Sequence, residues 1–252
     1  MPKVAIIAAL EREVSSLTKS WTRVQREHQG RNFLFFEREE MIVVCGGIGL
    51  EAARRAAEAV IALYHPSLVQ SVGFAGALDA SLQVGDVFVP AVVIDARDGS
   101  RTQIEGRNNE ATLVTFMDVA GIDQKANLAQ AYGAQAVDME ASAVAAAARA
   151  HGISFAVIKV ISDKMNFEMP EMARFIDSRG RFRTASFVSF AALRPWLWPQ
   201  VAELAGNSRK AASALALHMD SLRQQLSQAS GKIATTPVAG SSREIAPEAK
   251  TK

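Results

Sequence analysis

The residues best suited to chemistry in this sequence are three acids, each of which follows a short apolar segment. Glu13 follows the first such segment, Glu140 a later one and Asp163 the last. Short apolar runs are typical of buried strands, and ligands bind beyond the carboxyl ends of the strands in open α/β sheets. One acid after a strand is more often a solvated loop residue or a helix cap. Three of them predict an acid-rich cleft at one edge of a sheet.

The spacing of two of these acids indicates that they share a crevice. Between Glu140 and Asp163 there is room for one helix and one strand, which makes a single crossover unit. A right-handed crossover returns the chain to the same edge of the sheet. We therefore expect Glu140 and Asp163 to face the same crevice.

The elements that must position these acids alternate between strand-like and helical patterns. This alternation predicts a three-layer αβα fold with a mostly parallel, mixed central sheet. The predicted strands are residues 3–10, 32–39, 41–47, 68–73, 86–94, 113–116, 136–139 and 155–161. The predicted helices are residues 11–19, 50–64, 124–132, 141–151, 171–176, 185–193 and 201–226, and residues 96–111 are predicted to form a loop.

The pattern indicates one domain with a C-terminal addition. We expect residues 1–226 to form a single domain, in which residues 164–226 are a helical extension packed on the core. Residues 227–252 have few large apolar side chains and predict a disordered tail. Trp196 and Trp198 stand among helix-breaking prolines, and we favour packing of these two tryptophans against the core over contact with a membrane or a lipid-like group.

Composition excludes several functional classes. The 252 residues carry a formal net charge of +2, which gives no general electrostatic case for binding nucleic acid. The single cysteine, Cys45, rules out a disulfide within the chain and fits a reducing compartment. No apolar run reaches the roughly 20 residues that span a bilayer, and no secretory signal is visible, so we expect a cytoplasmic protein. The four histidines lack metal-ligand spacing, and we expect neither a metal nor a cofactor.

Two glycine-rich segments follow predicted strands and allow a ligand to approach the backbone. One segment ends at Gly49, and the other contains Phe74, Ala75 and Gly76. The first segment also matches the GxGxxA pattern of dinucleotide-binding proteins. That match is weak, because the following strand does not end in the acidic residue that would bind a ribose.

At these residues the chain resembles the purine nucleoside phosphorylase and nucleosidase superfamily. It is most similar to the methylthioadenosine and S-adenosylhomocysteine nucleosidases and to their hopanoid-associated relatives. The segment DMEA, followed about twenty residues later by ISD, is a specific signature of this superfamily. The matching segments, in family order, are IIAALEREV at 6–14, GGIGLEAA at 46–53, GFAGALDASLQVGDVFVP at 73–90, AVDMEASAVA at 136–145 and VIKVISD at 157–163.

The resemblance implies a role for each of the acids. Glu13 would orient and deprotonate the attacking water, Glu140 would bind the ribose 2′- and 3′-hydroxyls, and Asp163 would protonate or hydrogen-bond N7 of the leaving adenine. Loss of a base from ribose passes through an oxocarbenium-like state, which a nearby carboxylate stabilises. The resemblance further implies that Met139 packs against the sugar and that Ser162 supports Asp163. We also place Phe116 or Met117 against the adenine ring.

Departures from the family pattern leave several questions open. Phe74 replaces the usual small hydroxyl residue, and residues 91–113 are shorter than the segment that forms the dimer contact and the 5′ pocket in typical nucleosidases. The alternatives are therefore a hydrolase or a phosphorylase, with a methylthio, homocysteinyl or bulkier apolar 5′ group. Whether the chain forms a homodimer is left open. A non-catalytic nucleoside-binding protein is a further alternative, although the intact set of three acids argues against it. The expected partner is a small-molecule nucleoside linked to methionine salvage.

Overall fold

A computed structural model describes residues 4–168 and 171–234, and a mixed sheet forms their centre. The strands are β1 Val4–Ala8, β2 Thr22–His28, β3 Arg31–Arg38, β4 Met41–Cys45, β5 Leu68–Ala77, β6 Val87–Phe88, β7 Val92–Asp95, β8 Arg101–Gln103, β9 Thr112–Thr115, β10 Ala136–Asp138 and β11 Ser154–Asp163. The helices are α1 Glu11–Thr18, α2 Leu50–Tyr64, α3 Ile122–Tyr132, α4 Ala141–Ala150, α5 Thr184–Ala192 and α6 Trp198–Ala234. Short 3-10 helices lie at Met172–Phe175 and Pro195–Leu197.

Strand β5 connects the parts of the sheet. It pairs in parallel with β1 and β11, and its C-terminal end pairs antiparallel with β10. Strand β1 also pairs in parallel with β4, and β9 does so with both β7 and β10. Antiparallel strands extend the two ends of the sheet, through β3 and β2 on one side and β8 on the other. The strands that precede the three acids therefore all pair with β5.

Helices cover both faces of this sheet. Because side chains alternate along a strand, Ala5 and Ile7 of β1 belong to one buried cluster, while Ile6 and Ala8 belong to another. The first cluster includes the buried faces of α2 and α4, and the second includes those of α1 and α6. The predicted fold class, a mixed central sheet between helical layers with a helical C-terminal part, is therefore confirmed.

Two strands went unpredicted, for a common reason. Strand β2 (TRVQREH) is largely exposed along its length, so it lacks the apolar alternation that marks a half-buried strand. Strand β8 has only three residues and lies inside the segment predicted as loop. The predicted strand 86–94 is in fact two strands, β6 and β7, separated by residues 89–91. Strands β2, β6 and β8 are therefore defined by backbone pairing to a neighbour rather than by their own sequence pattern.

The C-terminal region differs from its prediction in length and in packing. Helix α6 begins at Trp198 and continues to Ala234, into the predicted tail. Pro199 does not break this helix, because it falls in the first turn, where proline is tolerated. Residues 235–252 of that tail lie outside the described residues. No helix in the described part of the chain is long and apolar enough to cross a membrane.

The two tryptophans of this region do not pack as expected. Trp196 is 68% exposed and Trp198 is 56% exposed, so the prediction that they attach the extension to the core is wrong. Leu197, between them, is buried instead, and the indole N–H of Trp198 donates a hydrogen bond to the carbonyl of Ala191. Of the residues in the 3-10 helix Pro195–Leu197, the leucine is the one that is buried.

Candidate active site

The carboxyl ends of the central strands open into a cleft of about 930 Å³, part of which is open to solvent. Glu13, Glu140 and Asp163 all line it, so the structure brings the three acids together. They arrive from separate elements: the first turn of α1, the turn between β10 and α4, and the end of β11. Their common neighbour is β5, whose C-terminal half contributes Phe74, Ala75 and Gly76 to the lining.

Glu13 is held by the backbone at the start of α1. The N–H groups of Ala9 and Leu10 both donate to its Oε2 atom, each at 3.1 Å. Burial raises the pKa of Glu13 above its ordinary value, and the hydrogen bond from Leu10 and the positive charge of Lys159 oppose that rise. A carboxylate whose pKa lies closer to neutrality is better suited to accept a proton from water.

Glu140 stands at the N-terminus of α4 and is 9% exposed. Its Oε1 atom accepts a hydrogen bond of 2.9 Å from the N–H of Gly49. Gly49 has φ of 95°, a conformation that favours glycine and that aims this N–H across the cleft. Burial raises the pKa of Glu140 to about 7, with the charge of Asp138 adding to the rise and that of Lys159 opposing it.

Asp163 is hydrogen-bonded through both of its carboxylate oxygens. Ser162 Oγ lies 2.7 Å from Oδ1 of Asp163, and Lys125 Nζ lies 2.5 Å from Oδ2. The Lys125 side chain is only 2% exposed, whereas that of Asp163 is 23% exposed toward the cleft. The structure thus pairs this acid with a buried cation, which the sequence analysis did not predict.

A second buried cation lies behind Asp138, which lines the cleft. Lys159 of β11 forms an ion pair of 2.8 Å with Asp138 of β10, and both side chains are almost completely inaccessible. Asp138 also accepts hydrogen bonds from Thr115 Oγ1 at 2.7 Å and from the N–H of Ala141 at 2.8 Å. This network fixes the turn that carries Met139 and Glu140.

The other predicted site residues divide into two groups. Met139 and Ser162 line the cleft together with the β5 segment that contains Phe74. Phe116 and Met117 do not: Phe116 packs in a hydrophobic cluster under α3, and Met117 is 65% exposed. The residues that follow them, Asp118, Val119 and Ala120, line the cleft instead, because the chain changes direction after β9.

The C-terminal part of the chain supplies one wall of the cleft. Phe167 and Met172 come from the segment after β11, and Leu204 and Ser208 come from α6. The loop before α5 also reaches the glycine-rich segment, where the N–H of Ile48 donates to the carbonyl of Gly180 at 2.7 Å. The extension is therefore part of the site as well as of the packing.

The sequence reasoning missed both buried lysines. Lys159 carries a usable signal, because a charged residue inside the apolar segment VIKVIS must find a buried partner. Lys125 carries none, since a single lysine on a helix is ordinarily a solvated residue. In the described residues, no group of three or more His, Cys, Asp or Glu side chains is arranged to hold a metal ion.

A mixed αβα sheet with acids at the strand ends, in a cleft with an apolar wall, is typical of α/β enzymes that bind a small ligand at the carboxyl edge of the sheet. The sequence model of the phosphorylase superfamily matches residues 3–121 and 117–193. The chain belongs to that superfamily.

Two relatives indicate the branch to which the chain is similar. A 5′-methylthioadenosine/S-adenosylhomocysteine nucleosidase of Staphylococcus aureus (strain MRSA252) is 27% identical over 202 residues, which cover 66% of this chain and 88% of the relative. The crystal structure of such a nucleosidase from Colwellia psychrerythraea 34H, in complex with adenine, has a TM-score of 0.57. It is 26% identical and covers 65% of this chain and 83% of its own. These homologues are N-glycosyl hydrolases.

A wider comparison extends the fold to most of the chain. The native futalosine hydrolase of Helicobacter pylori strain 26695 has a TM-score of 0.66 at 17% identity, and the match covers 89% of this chain and 98% of that one. Identity at this level shows the shared fold alone.

Proposed function

We propose that the chain hydrolyses the N-glycosidic bond of an adenine nucleoside of the 5′-methylthioadenosine or S-adenosylhomocysteine type and releases adenine. The observation that carries the proposal is the meeting of Glu13, Glu140 and Asp163 in one cleft. The names of the relatives at 26–27% identity support the same substrate class. The nucleoside is the partner, and the proposal requires no cofactor.

Glu140 is the ribose ligand in this proposal. One of its oxygens is held by the N–H of Gly49, so the carboxylate has a fixed orientation toward the cleft. A carboxylate accepts hydrogen bonds from two adjacent hydroxyl groups, and its negative charge lies beside the cationic sugar that forms as the base departs. Met139, the preceding residue, also lines the cleft and packs against the apolar face of the sugar.

Glu13 is the base that activates water. Two backbone N–H groups fix its Oε2 atom, which defines the direction of the carboxylate, and burial raises its pKa toward the range of an effective base. Asp163 faces the leaving base and stabilises N7 of adenine by a hydrogen bond or by proton transfer. Adenine leaves poorly as an anion, so this interaction supplies most of the leaving-group assistance.

Water is favoured over phosphate as the nucleophile. Among the described residues that line the cleft, Arg12 and Lys125 are basic. Nζ of Lys125 is already bound to Asp163 and to the carbonyls of Lys164 and Phe167. Arg12 would be left to neutralise a phosphate dianion, and its guanidinium lies 5.9 Å from the ring centre of Phe182. A phosphate site normally gathers several donors.

A second candidate is an adenosyl nucleosidase or phosphorylase for a bulky 5′-modified adenosine, similar to the hopanoid-associated enzymes. The observation that favours it is the apolar wall formed by Phe167, Met172 and Leu204, which accommodates a large apolar substituent. Both candidates use the same acids and differ only in the 5′ group.

The test is base release from a substrate panel in phosphate-free buffer and again with added phosphate. The panel contains 5′-methylthioadenosine, S-adenosylhomocysteine, adenosine, futalosine and a 5′-alkyl adenosine. The proposal predicts phosphate-independent release of adenine, fastest from a 5′-thio nucleoside. Faster release from the 5′-alkyl adenosine than from the 5′-thio nucleosides supports the second candidate. Release that requires phosphate contradicts the hydrolase. No release from any substrate contradicts both.

A further inference from the structure

Lys125 makes an unusual set of contacts for a lysine on a helix. Its ammonium group contacts Asp163 Oδ2 at 2.5 Å, the carbonyl of Lys164 at 2.8 Å and the carbonyl of Phe167 at 3.2 Å. An ammonium has three N–H donors, so these acceptors use all of them. The side chain is 2% exposed, and it reaches from α3 to the end of β11.

The neighbouring backbone is shaped to admit this pair. A Cβ atom at Gly76 would lie 2.8 Å from Oδ2 of Asp163 and 3.4 Å from Cε of Lys125. Any side chain at this position of β5 would therefore push into the contact between the lysine and the aspartate. The missing side chain leaves room for Lys125 and Asp163 to meet at the edge of the cleft.

We infer that Lys125 is a positioning residue that acts through Asp163 to assist departure of the base. The inference rests on the proposed function, which gives Asp163 the leaving-group role. Lys125 holds one carboxylate oxygen and Ser162 contacts the other, so the carboxyl group has one defined rotation toward the base. Catalytic groups gain much of their effect from such fixed orientation.

The same lysine ties Asp163 to the wall of the cleft. Lys164 and Phe167, whose carbonyls it binds, belong to the segment that follows β11, and Phe167 lines the cleft. Lys125 therefore fixes the aspartate and the adjoining segment relative to each other.

The test compares two leaving groups in the Lys125→Met variant. One substrate is the best adenine nucleoside of the panel, and the other is a 4-nitrophenyl riboside with the same 5′ group, whose phenolate leaves without a proton. We expect kcat for adenine release to fall on the order of 100-fold, the usual size of a general acid effect, and kcat for the nitrophenyl riboside to fall by less than about 5-fold. Equal losses on the two substrates would overturn the inference.

A double-mutant cycle tests whether Lys125 acts through the aspartate. If it does, Lys125→Met combined with Asp163→Asn should be no slower on the adenine nucleoside than Asp163→Asn alone. If the losses in kcat of the two single variants multiply in the double variant, Lys125 does not act through Asp163. Gln130→Met, at an exposed position of the same helix, is the control for a change on α3 and should match the wild type.

If Lys125→Met fails to fold, Lys125→Gln replaces it, because its amide can still donate a hydrogen bond in the same space, and the same two outcomes decide the inference. A second variant tests the orientation of Asp163 from its other oxygen. Ser162→Ala leaves the lysine in place and removes the contact to the other carboxylate oxygen. It should show the same selective loss on the adenine substrate, and an equal loss on both substrates would again count against the inference. Wild-type protein that hydrolyses neither substrate would contradict the proposed function, which separates that failure from failure of the role assigned to Lys125.

Discussion

Nζ of Lys159 lies 2.8 Å from Oδ2 of Asp138, and this buried ion pair lies beneath the cleft that Asp138 lines. Its effect extends to the acids above it. The charge of Lys159 lowers the pKa of Glu13 and of Glu140, and so opposes the larger rise that burial causes. The charge of Asp138 acts in the other direction on Glu140. The pair therefore helps to set the ionisation of the acids in the site.

Replacement of the lysine in this pair should strongly destabilise the protein. Lys159→Met leaves Asp138 buried without its cation, and breaking a buried pair in this way costs about 3–5 kcal/mol. The free energy of unfolding from urea titration at neutral pH measures the loss. Lys19→Met, at an exposed position of the chain, is the matched control and should change stability by less than about 0.5 kcal/mol.

The companion change separates loss of the pair from loss of packing. Asp138→Asn added to Lys159→Met removes the unpaired charge, and its amide oxygen keeps one of the two acceptor positions that serve Thr115 Oγ1 and the N–H of Ala141. The double variant should therefore be more stable than Lys159→Met alone. If the double variant is less stable by the full cost of both changes, the ion pair is not the source of the effect.

Stability should depend on pH through Glu140. Burial raises the pKa of Glu140 from 4.5 to about 7, so the folded protein binds this proton more tightly than the unfolded chain does. The residue's contribution is complete below pH 4.5 and is lost as the pH rises through about 7. Over that window the free energy of unfolding should fall by about 3 kcal/mol from this group alone.

Glu140→Gln isolates that contribution, because glutamine does not titrate. Unfolding free energies of the wild type and the variant, measured from pH 4.5 to pH 8, should converge or cross as the pH rises. Parallel curves would show that Glu140 is ionised throughout the range. Binding of a nucleoside through its ribose hydroxyls should likewise weaken below about pH 7 in the wild type alone.

Glu13 and its neighbour Glu11 offer a matched pair of substitutions. Glu13→Gln keeps the shape of the side chain but removes the base, and kcat should fall on the order of 100-fold or more. Glu11 is two residues away, has a side chain that is 48% exposed and forms a surface ion pair with Arg23. Glu11→Gln should leave kcat within about 2-fold, since surface ion pairs contribute little. Comparable losses in the two variants would contradict the assignment of the base.

The fold was largely readable from the sequence because its elements have strong local patterns. The apolar run that became β1 and the alanine-rich helix α2 were predicted within two residues of their ends. Strand β2 could not be predicted in this way, because its polar, exposed residues are ordered by pairing with β3 rather than by burial.

The site was readable only in part. The meeting of the three acids in one cleft was predictable, because strand ends converge in an α/β sheet. That Phe116 and Met117 lie outside the lining of this cleft was not predictable, because the direction of the chain after β9 is not encoded in the types of these two residues. The partnership of Lys125 with Asp163 joins residues 38 positions apart on different elements, and no local pattern reports such a contact.

The most direct test of the proposed hydrolysis is the fate of the sugar in water labelled with ¹⁸O. With 5′-methylthioadenosine as substrate and no phosphate present, mass spectrometry of the products should show adenine and a 5′-methylthioribose that carries one ¹⁸O atom at C1. Glu13→Gln should slow formation of this product without changing its label. A sugar 1-phosphate formed only when phosphate is added, or no cleavage at all, would contradict the account.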